Sequence, residues 1–189
     1  YGLSTQDELK MLRVIRRMAE ASPMTIRATF LGAHAVARDY IGRQAEYVDL
    51  ICREMIPAVA AEGLADFVDV FCDRGFFTPE ETARMLECGA KYGMRPKIHA
   101  NELAASGGIQ VGVAHGALSV DHLEFTGEEE ISALLGSQTM PTILPGAAFT
   151  KGKRANLWIT QPVSSLEFIP YAYGTSLTAG LVLGGRKVL

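Results

Sequence analysis

The chain has 189 residues, enough for a domain with a substantial core, and its 48% hydrophobic and 21% charged residues are typical of soluble globular proteins. The net charge of −3, with no basic run longer than Arg16-Arg17, argues against nucleic-acid binding. Apolar stretches are no longer than a strand and are interrupted by Gly, Pro or charge, so neither a membrane span nor a signal peptide is predicted.

The three cysteines, Cys52, Cys72 and Cys88, are odd in number, widely spaced and embedded in apolar segments. This pattern favours buried structural thiols over a disulfide or a metal site. It predicts a reducing, cytoplasmic compartment.

Helix and strand signals alternate through residues 1–149. Capping boxes at Thr5 to Glu8 and Thr78 to Glu81 predict two helices, which end near Ala21 and Gly93. Further helices are predicted from about Gln44, with Pro57 as a break or restart, after Gly108, and from Thr126. Five β-type runs are predicted as strands, at 26–34, 67–72, 96–100, 117–122 and 139–144. Strands that alternate with helices form βαβ units, so the predicted fold class is α/β with a parallel sheet.

The last forty residues differ in kind. From Lys151 onward the helical period disappears, and short β-type runs such as 157–160 and 181–183 alternate with Gly-rich turns. A second, β-rich unit is therefore predicted.

A candidate site follows from two neighbouring strands. His99 lies at the end of one, with Glu102 just after it, and His122 ends the next. Because the carboxyl ends of successive parallel strands converge on one face, these side chains are expected to meet. Two imidazoles and a carboxylate can bind a metal and move protons, which indicates a hydrolytic metal site.

Six segments, taken in order, resemble the imidazolonepropionase family, amidohydrolases of histidine degradation that open an imidazolone ring to give N-formimidoylglutamate. They are Thr29 to Val36, Glu54 to Ala60, Ala65 to Cys72, the segment around His99, Leu118 to Glu124 and Met140 to Phe149.

The resemblance implies a fold and a domain division. Residues 1–149 would form part of a metal-dependent-hydrolase, TIM-like barrel, strands three to seven, and residues 150–189 the C-terminal part of a small β-sandwich domain. The family's first strand carries a His-x-His pair of metal ligands, which has no counterpart here, because the only histidines are 34, 99, 115 and 122. Its eighth strand carries a metal-binding Asp after Phe149, where this sequence passes directly into the β-rich unit. The sequence is therefore expected to be pieces of a longer chain, with segments missing before residue 1 and near residue 149.

The resemblance also assigns roles to five residues. His99 would be a metal ligand, Glu102 would contact the substrate ring and relay a proton, and His122 would orient or protonate at the reacting centre. His34 and Tyr1 would contact the substrate. The first three also have simpler interpretations: a core histidine for His99, a helix N-terminal charge for Glu102, and a structural role for His122.

Three neighbouring residues have weaker assignments. His115 precedes the strand that ends at His122 and is predicted at the surface or behind the site. Asp121 and Glu124 flank His122 and either orient it or are solvated or salt-bridged.

The implied cofactor is one divalent metal ion, zinc or iron. Residues 69–72, at the end of the family's fourth strand, include no lysine of the kind that bridges two metals in relatives of the wider superfamily. The implied partners are a small-molecule substrate, imidazolonepropionate, and a second copy in a homodimer, with no nucleic acid and no membrane.

Two other functions remain open from sequence alone. One is another amidohydrolase, acting on a different cyclic amide or as an aminohydrolase with the same His99 and His122 frame. The other is a metal-free binding or scaffold protein.

Overall fold

The computed structural model describes residues 1–144, 157–160, 162, 178–183 and 186–187. The chain divides into two units, Tyr1–Ile143 and Leu144–Leu189. The predicted junction between residues 149 and 150 lies outside the described residues, so it stays a prediction. None of the helices in the described part is long and apolar enough to cross a membrane.

The first unit alternates helices and parallel strands, as predicted. Its strands are β1 (Thr29–Ala33), β2 (Phe67–Cys72), β3 (Arg95–Ala100), β4 (Ser119–His122) and β5 (Met140–Thr142). Its α-helices are α1 (Thr5–Ala21), α2 (Gln44–Leu50), α3 (Ile56–Ala61), α4 (Pro79–Ala90), α5 (Gly108–Ala114) and α6 (Glu128–Leu135), with a 3-10 turn at Arg38–Tyr40.

The two predicted capping boxes have different outcomes. The Thr78 hydroxyl accepts from the Glu81 backbone N–H at 3.2 Å, and the Glu81 carboxylate accepts from the Thr78 N–H at 3.0 Å, which confirms that box. Helix α1, however, is capped by Ser4, whose hydroxyl accepts from the Asp7 N–H. The Thr5 hydroxyl instead donates to Glu54 at 2.7 Å, so the prediction of Thr5 as part of the cap was wrong.

The chain around Pro57 stays helical, but the helix is not a regular α-helix throughout. A π-helical turn, Ile51–Met55, joins α2 to α3, and Pro57 lies in the first turn of α3. Since proline has no N–H to donate, a wider turn just before it lets the chain resume α-helix without a break. Pro57 therefore lies at the start of a second α-helix, which is one of the two outcomes expected.

The sheet order is β1-β2-β3-β4-β5, and every neighbouring pair is parallel. Each strand thus pairs with the next one along the chain. A doubly wound sheet reverses its strand order at a switch point, whereas a (β/α) barrel adds strands in sequence. The order therefore indicates part of a barrel wall.

The two faces of this sheet differ. Val68, Ile98 and Val120 are at most 1% exposed and face the helices. The helices approach closely because of glycine: a Cβ at Gly89 of α4 would lie 2.5 Å from Val68, and one at Gly112 of α5 would lie 2.6 Å from Val120. Most residues of the opposite parity are polar, and their side chains lie on the other face, which corresponds to a barrel interior.

The second unit, where it is described, contains an antiparallel sheet with the order β6-β7-β8. Its strands are β6 (Leu157–Thr160), β7 (Thr178–Leu183) and β8 (Arg186–Lys187). The β-type runs predicted at 157–160 and 181–183 both lie in these strands.

Candidate active site

The structure brings the five predicted site residues together at the carboxyl ends of the strands. His34 follows β1, His99 lies in β3 and His122 ends β4. The ring centroids of His34 and His99 are 5.8 Å apart, and those of His99 and His122 are 5.3 Å apart. Tyr1 stacks on His34 with their ring centroids 3.9 Å apart, and Glu102 contacts His122. One face of the sheet therefore carries all five.

His99 is held by a carboxylate that the sequence analysis did not single out. Its Nδ1 lies 3.1 Å from Oδ1 of Asp69, whose side chain is 3% exposed. Burial lowers the pKa of His99, but the hydrogen bond to Asp69 and the charges of Asp69 and Asp121 outweigh it, so that the pKa lies above its ordinary value. With Nδ1 occupied by Asp69, Nε2 is the nitrogen left for another ligand.

Asp121 has a partner of its own. Its Oδ2 lies 3.4 Å from Nζ of Lys97, and both residues share the inner face with His99, which is opposite Asp121 in the strand register. The salt-bridged interpretation of Asp121 therefore holds. The pair adds to a polar layer on the inner face below the histidines.

His122 reaches the site through an unusual backbone conformation. In the register it pairs with Ala100, whose parity belongs to the helix-facing side of the sheet. Its φ of 86°, however, is left-handed, and Leu123 follows with a φ of 67°. This turn at the end of β4 places the imidazole beside His99 rather than among the helices. Such conformations are costly in residues with a Cβ and concentrate at functional sites.

Glu102 lies in a loop that a buried aspartate holds in place. Asp73, 3% exposed, follows β2. Its carboxylate accepts from the Leu103 N–H at 2.8 Å and from the Ser106 hydroxyl at 2.6 Å. The loop thus presents Glu102 with Oε2 3.5 Å from Nε2 of His122.

A second link joins this loop to the one after β4. Asn101 is fully buried with a φ of 55°, and its side-chain amide donates to the Phe125 carbonyl at 3.0 Å. The Phe125 N–H donates back to the Asn101 carbonyl at 2.9 Å. The loops that bear Glu102 and His122 are therefore tied to each other.

His34 and Tyr1 form a flat surface beside the histidines. His34 also stacks with Phe71 at 5.3 Å, and burial, followed by the charge of His99, lowers the pKa of His34. Its Nδ1 is buried and has no hydrogen-bond partner among the described residues. Tyr1 is 56% exposed. The pair can contact a planar ring from one side.

His115 lies apart from this group, at the carboxyl end of α5. Its Nδ1 donates to the Val111 carbonyl at 2.9 Å, and its Nε2 lies 3.5 Å from the exposed carboxylate of Glu87. The structure thus places it behind the sheet, away from the strand ends.

The described residues at this site do not form a complete set of metal ligands. Within the described residues, no group of three His, Cys, Asp or Glu side chains is arranged to hold a metal ion. His99, with its outward Nε2 and its Asp69 partner, has the arrangement of a single metal-ligating imidazole. Catalytic zinc sites use three protein ligands, so His99 by itself would not complete such a site.

A parallel sheet in sequential order, with histidines and a glutamate at its carboxyl ends, is consistent with part of a barrel of the amidohydrolase class. A scan against protein-family models finds no match. Comparison with curated proteins does identify relatives, and the three described below are each named imidazolonepropionase.

The imidazolonepropionase of Flavobacterium johnsoniae is 36% identical over 262 residues, which cover 100% of this chain and 64% of that protein. The one from Christiangramia forsetii is 32% identical with the same coverage. The one from Flavobacterium psychrophilum is 51% identical over 149 residues, 79% of this chain and 36% of that protein. The chain belongs to the imidazolonepropionase family.

The chain spans at most 64% of the length of these relatives. An aligned span of 262 residues also exceeds the 189 residues here, so at least 73 positions of the Flavobacterium johnsoniae protein have no counterpart within that span. The match to Flavobacterium psychrophilum extends over only 149 residues. These lengths are in keeping with an internal segment absent from this sequence, whose position near residue 149 remains a prediction.

Proposed function

We propose that this chain carries the acid–base half of a metal-dependent hydrolase that converts 4-imidazolone-5-propanoate to N-formimidoyl-L-glutamate in histidine degradation. The observation that carries the proposal is the convergence of Glu102 and His122, 3.5 Å apart, beside His99 with its Asp69 partner. Family membership supplies the substrate class.

The metal site would include His99. When bound, a divalent metal ion lowers the pKa of a coordinated water from 15.7 to about 7 and so supplies the nucleophile. Asp69 would keep His99 in the tautomer that leaves Nε2 free. The ion is proposed to be zinc or iron, and its remaining ligands are expected in segments that the relatives have and this sequence lacks.

Glu102 would carry the proton. Opening a cyclic amide requires a proton to leave the attacking water and another to reach the departing ring nitrogen, and one carboxylate near both can do each in turn. The side chain of Glu102 is 27% exposed, so it is open to a substrate, and its carboxylate lies 3.5 Å from Nε2 of His122. His122 would orient or protonate the reacting centre.

Tyr1 and His34 would contact the substrate. Their stacked rings, with Phe71 behind His34, form a planar surface at the same end of the sheet. An imidazolone ring is flat and polar at its edges, so it can lie against this surface while its edge meets Glu102.

The cellular setting is a further part of the proposal. The three cysteines are free thiols, which suits a cytoplasmic protein. A homodimer is proposed from the family resemblance. Light scattering on the complete protein that contains this sequence would test it, and a monomeric mass would contradict it.

The decisive experiment compares Glu102→Gln with His99→Ala in that complete protein. Glu102→Gln keeps the shape but not the proton acceptor, so turnover should fall about 10²-fold or more while metal content stays normal. His99→Ala should lower both. Glu87→Gln, an exposed glutamate beside His115, is the control and should change neither.

Three results would contradict the proposal. Near-normal turnover of Glu102→Gln would move the proton transfer to another group. Equal turnover of imidazolonepropionate and a panel of other cyclic amides would indicate a different amidohydrolase. A wild-type protein with neither metal nor hydrolysis would indicate a binding or scaffold protein.

A further inference from the structure

Glu124 is a buried carboxylate in an unusual position. Its side chain is 2% exposed, and neither carboxylate oxygen has a hydrogen-bond partner among the described residues. Buried carboxylates are normally hydrogen-bonded or paired, because leaving one without partners is costly. This residue therefore requires an explanation beyond packing.

A complementary group close to Glu124 is the imidazole of His122. Its Nδ1 is also buried without a hydrogen-bond partner among the described residues, and it lies 3.8 Å from Oε1 of Glu124. The other ring nitrogen, Nε2, lies 3.5 Å from Oε2 of Glu102. The imidazole of His122 thus lies between two carboxylates, one buried and one open to the site.

The backbone brings Glu124 back towards His122. Two consecutive left-handed residues, His122 at φ 86° and Leu123 at φ 67°, interrupt the extended backbone at the end of β4. In an ordinary extended segment, a residue two positions on would lie about 7 Å further along the strand. The strained turn instead lets the Glu124 side chain approach the ring of its own neighbour.

We infer that Glu124 is a positioning residue that accepts a hydrogen bond from the Nδ1–H of His122 and so presents an unprotonated Nε2 to Glu102 and the substrate. This inference deepens, and rests on, the proposed hydrolase function. The 3.8 Å separation exceeds an N–H···O hydrogen bond by about 1 Å. Contacts of this kind are often long before substrate binds and shorten in the complex.

A neutral imidazole has one proton, and the partners of the two nitrogens decide where it resides. Glu124 is the less hydrated of the two carboxylates, because its side chain is 2% exposed against 27% for Glu102. A hydrogen bond to a desolvated carboxylate is the stronger one. The proton is therefore held on Nδ1, and the lone pair of Nε2 faces Glu102 and the substrate.

The first test reads the tautomer directly. In the complete protein, purified from zinc-supplemented medium and labelled with nitrogen-15 histidine, long-range proton–nitrogen spectra at mildly alkaline pH separate protonated from unprotonated ring nitrogens. His115 is the internal reference for a protonated Nδ1, since that nitrogen donates to the Val111 carbonyl. A His122→Gln variant identifies the His122 signals.

We expect wild-type His122 to match the His115 pattern at Nδ1. In Glu124→Leu, which has similar bulk and no acceptor, the proton should shift towards Nε2. Glu124→Gln keeps an oxygen acceptor and should retain much of the wild-type pattern. A wild-type ring protonated at Nε2, or an unchanged pattern in Glu124→Leu, would overturn the inference.

Kinetics provide the second test. Partners of this kind typically change activity by about 10- to 100-fold, so kcat of Glu124→Leu should fall by that factor with KM near the wild-type value. The loss in Glu124→Gln should be smaller. The control is Glu87→Gln, which removes the carboxylate beside His115 and should leave kcat unchanged.

Thermal unfolding distinguishes positioning from a structural role. Replacing an unpartnered buried carboxylate with an apolar side chain of similar volume often leaves stability unchanged or raises it. We therefore expect the Tm of Glu124→Leu to equal or exceed that of wild type while kcat falls. A lower Tm together with unchanged kcat would make Glu124 structural.

If wild type fails to hydrolyse imidazolonepropionate, the proposed function fails, whereas the tautomer measurement still decides the role of Glu124.

Discussion

Removal of the Asp73 carboxylate should loosen the loop that carries Glu102. Asp73 is 3% exposed and accepts two hydrogen bonds from that loop, from the Leu103 N–H and the Ser106 hydroxyl. Hydrogen bonds to charged groups contribute about 1.5 to 3 kcal/mol each. Because neighbouring bonds are not additive, we expect Asp73→Ala to lower the free energy of unfolding by about 3 to 4 kcal/mol. Asp73→Asn, which keeps one acceptor oxygen, should lose about half as much.

Urea unfolding of the complete protein measures this loss, and hydrogen exchange at the Leu103 amide shows whether it arises in the loop. Turnover should fall in parallel, since Glu102 then no longer stays opposite His122. Asp39→Asn, at an exposed aspartate of the 3-10 turn, is the matched control and should change stability by less than about 0.5 kcal/mol. If Asp73→Ala left Leu103 exchange at the wild-type rate, the reasoning would be refuted.

Two further predictions concern the core. Gly112→Ala should lower the free energy of unfolding by about 1 to 3 kcal/mol, because its Cβ would lie 2.6 Å from Val120. Adding Val120→Ala should recover part of this loss in a double-mutant cycle. Strictly additive losses would contradict the contact. Burial raises the pKa of the Cys52 thiol to about 12 and that of Cys72 to about 11, so at pH 8 alkylation of native protein should label the half-buried Cys88 first. Peptide mapping by mass spectrometry reads the order, and equally fast labelling of Cys72 would disprove it.

The types of the elements follow from local pattern, whereas their ends depend on distant partners. The Thr78 and Glu81 box was predicted because both members lie within one turn. The cap of α1 was misplaced by one residue, since the Thr5 hydroxyl is taken by Glu54, 49 residues away. Similarly, β1 is Thr29–Ala33 and β5 is Met140–Thr142, shorter than their apolar runs, because pairing with a neighbouring strand sets their length.

The candidate site was predictable where it follows from topology. His34, His99 and His122 converge because the carboxyl ends of parallel strands do. Asp73 was not predicted, since its partners lie about 30 residues further along the chain and one aspartate after a strand has no local signature. The orientation of His122 was also inaccessible, because alternation along the strand assigns it to the helix-facing side and only its left-handed φ reverses that.

The mutual hydrogen bonds between Asn101 and Phe125 have a dynamic consequence. Each loop donates one bond and accepts one, so neither can swing open alone without breaking both. At about 1 kcal/mol net for each bond, separate opening is about 30 times rarer than motion of the two loops as one body. Glu102 and His122 should therefore keep their spacing during thermal fluctuation. Substrate would then meet an acid–base pair whose internal geometry stays constant.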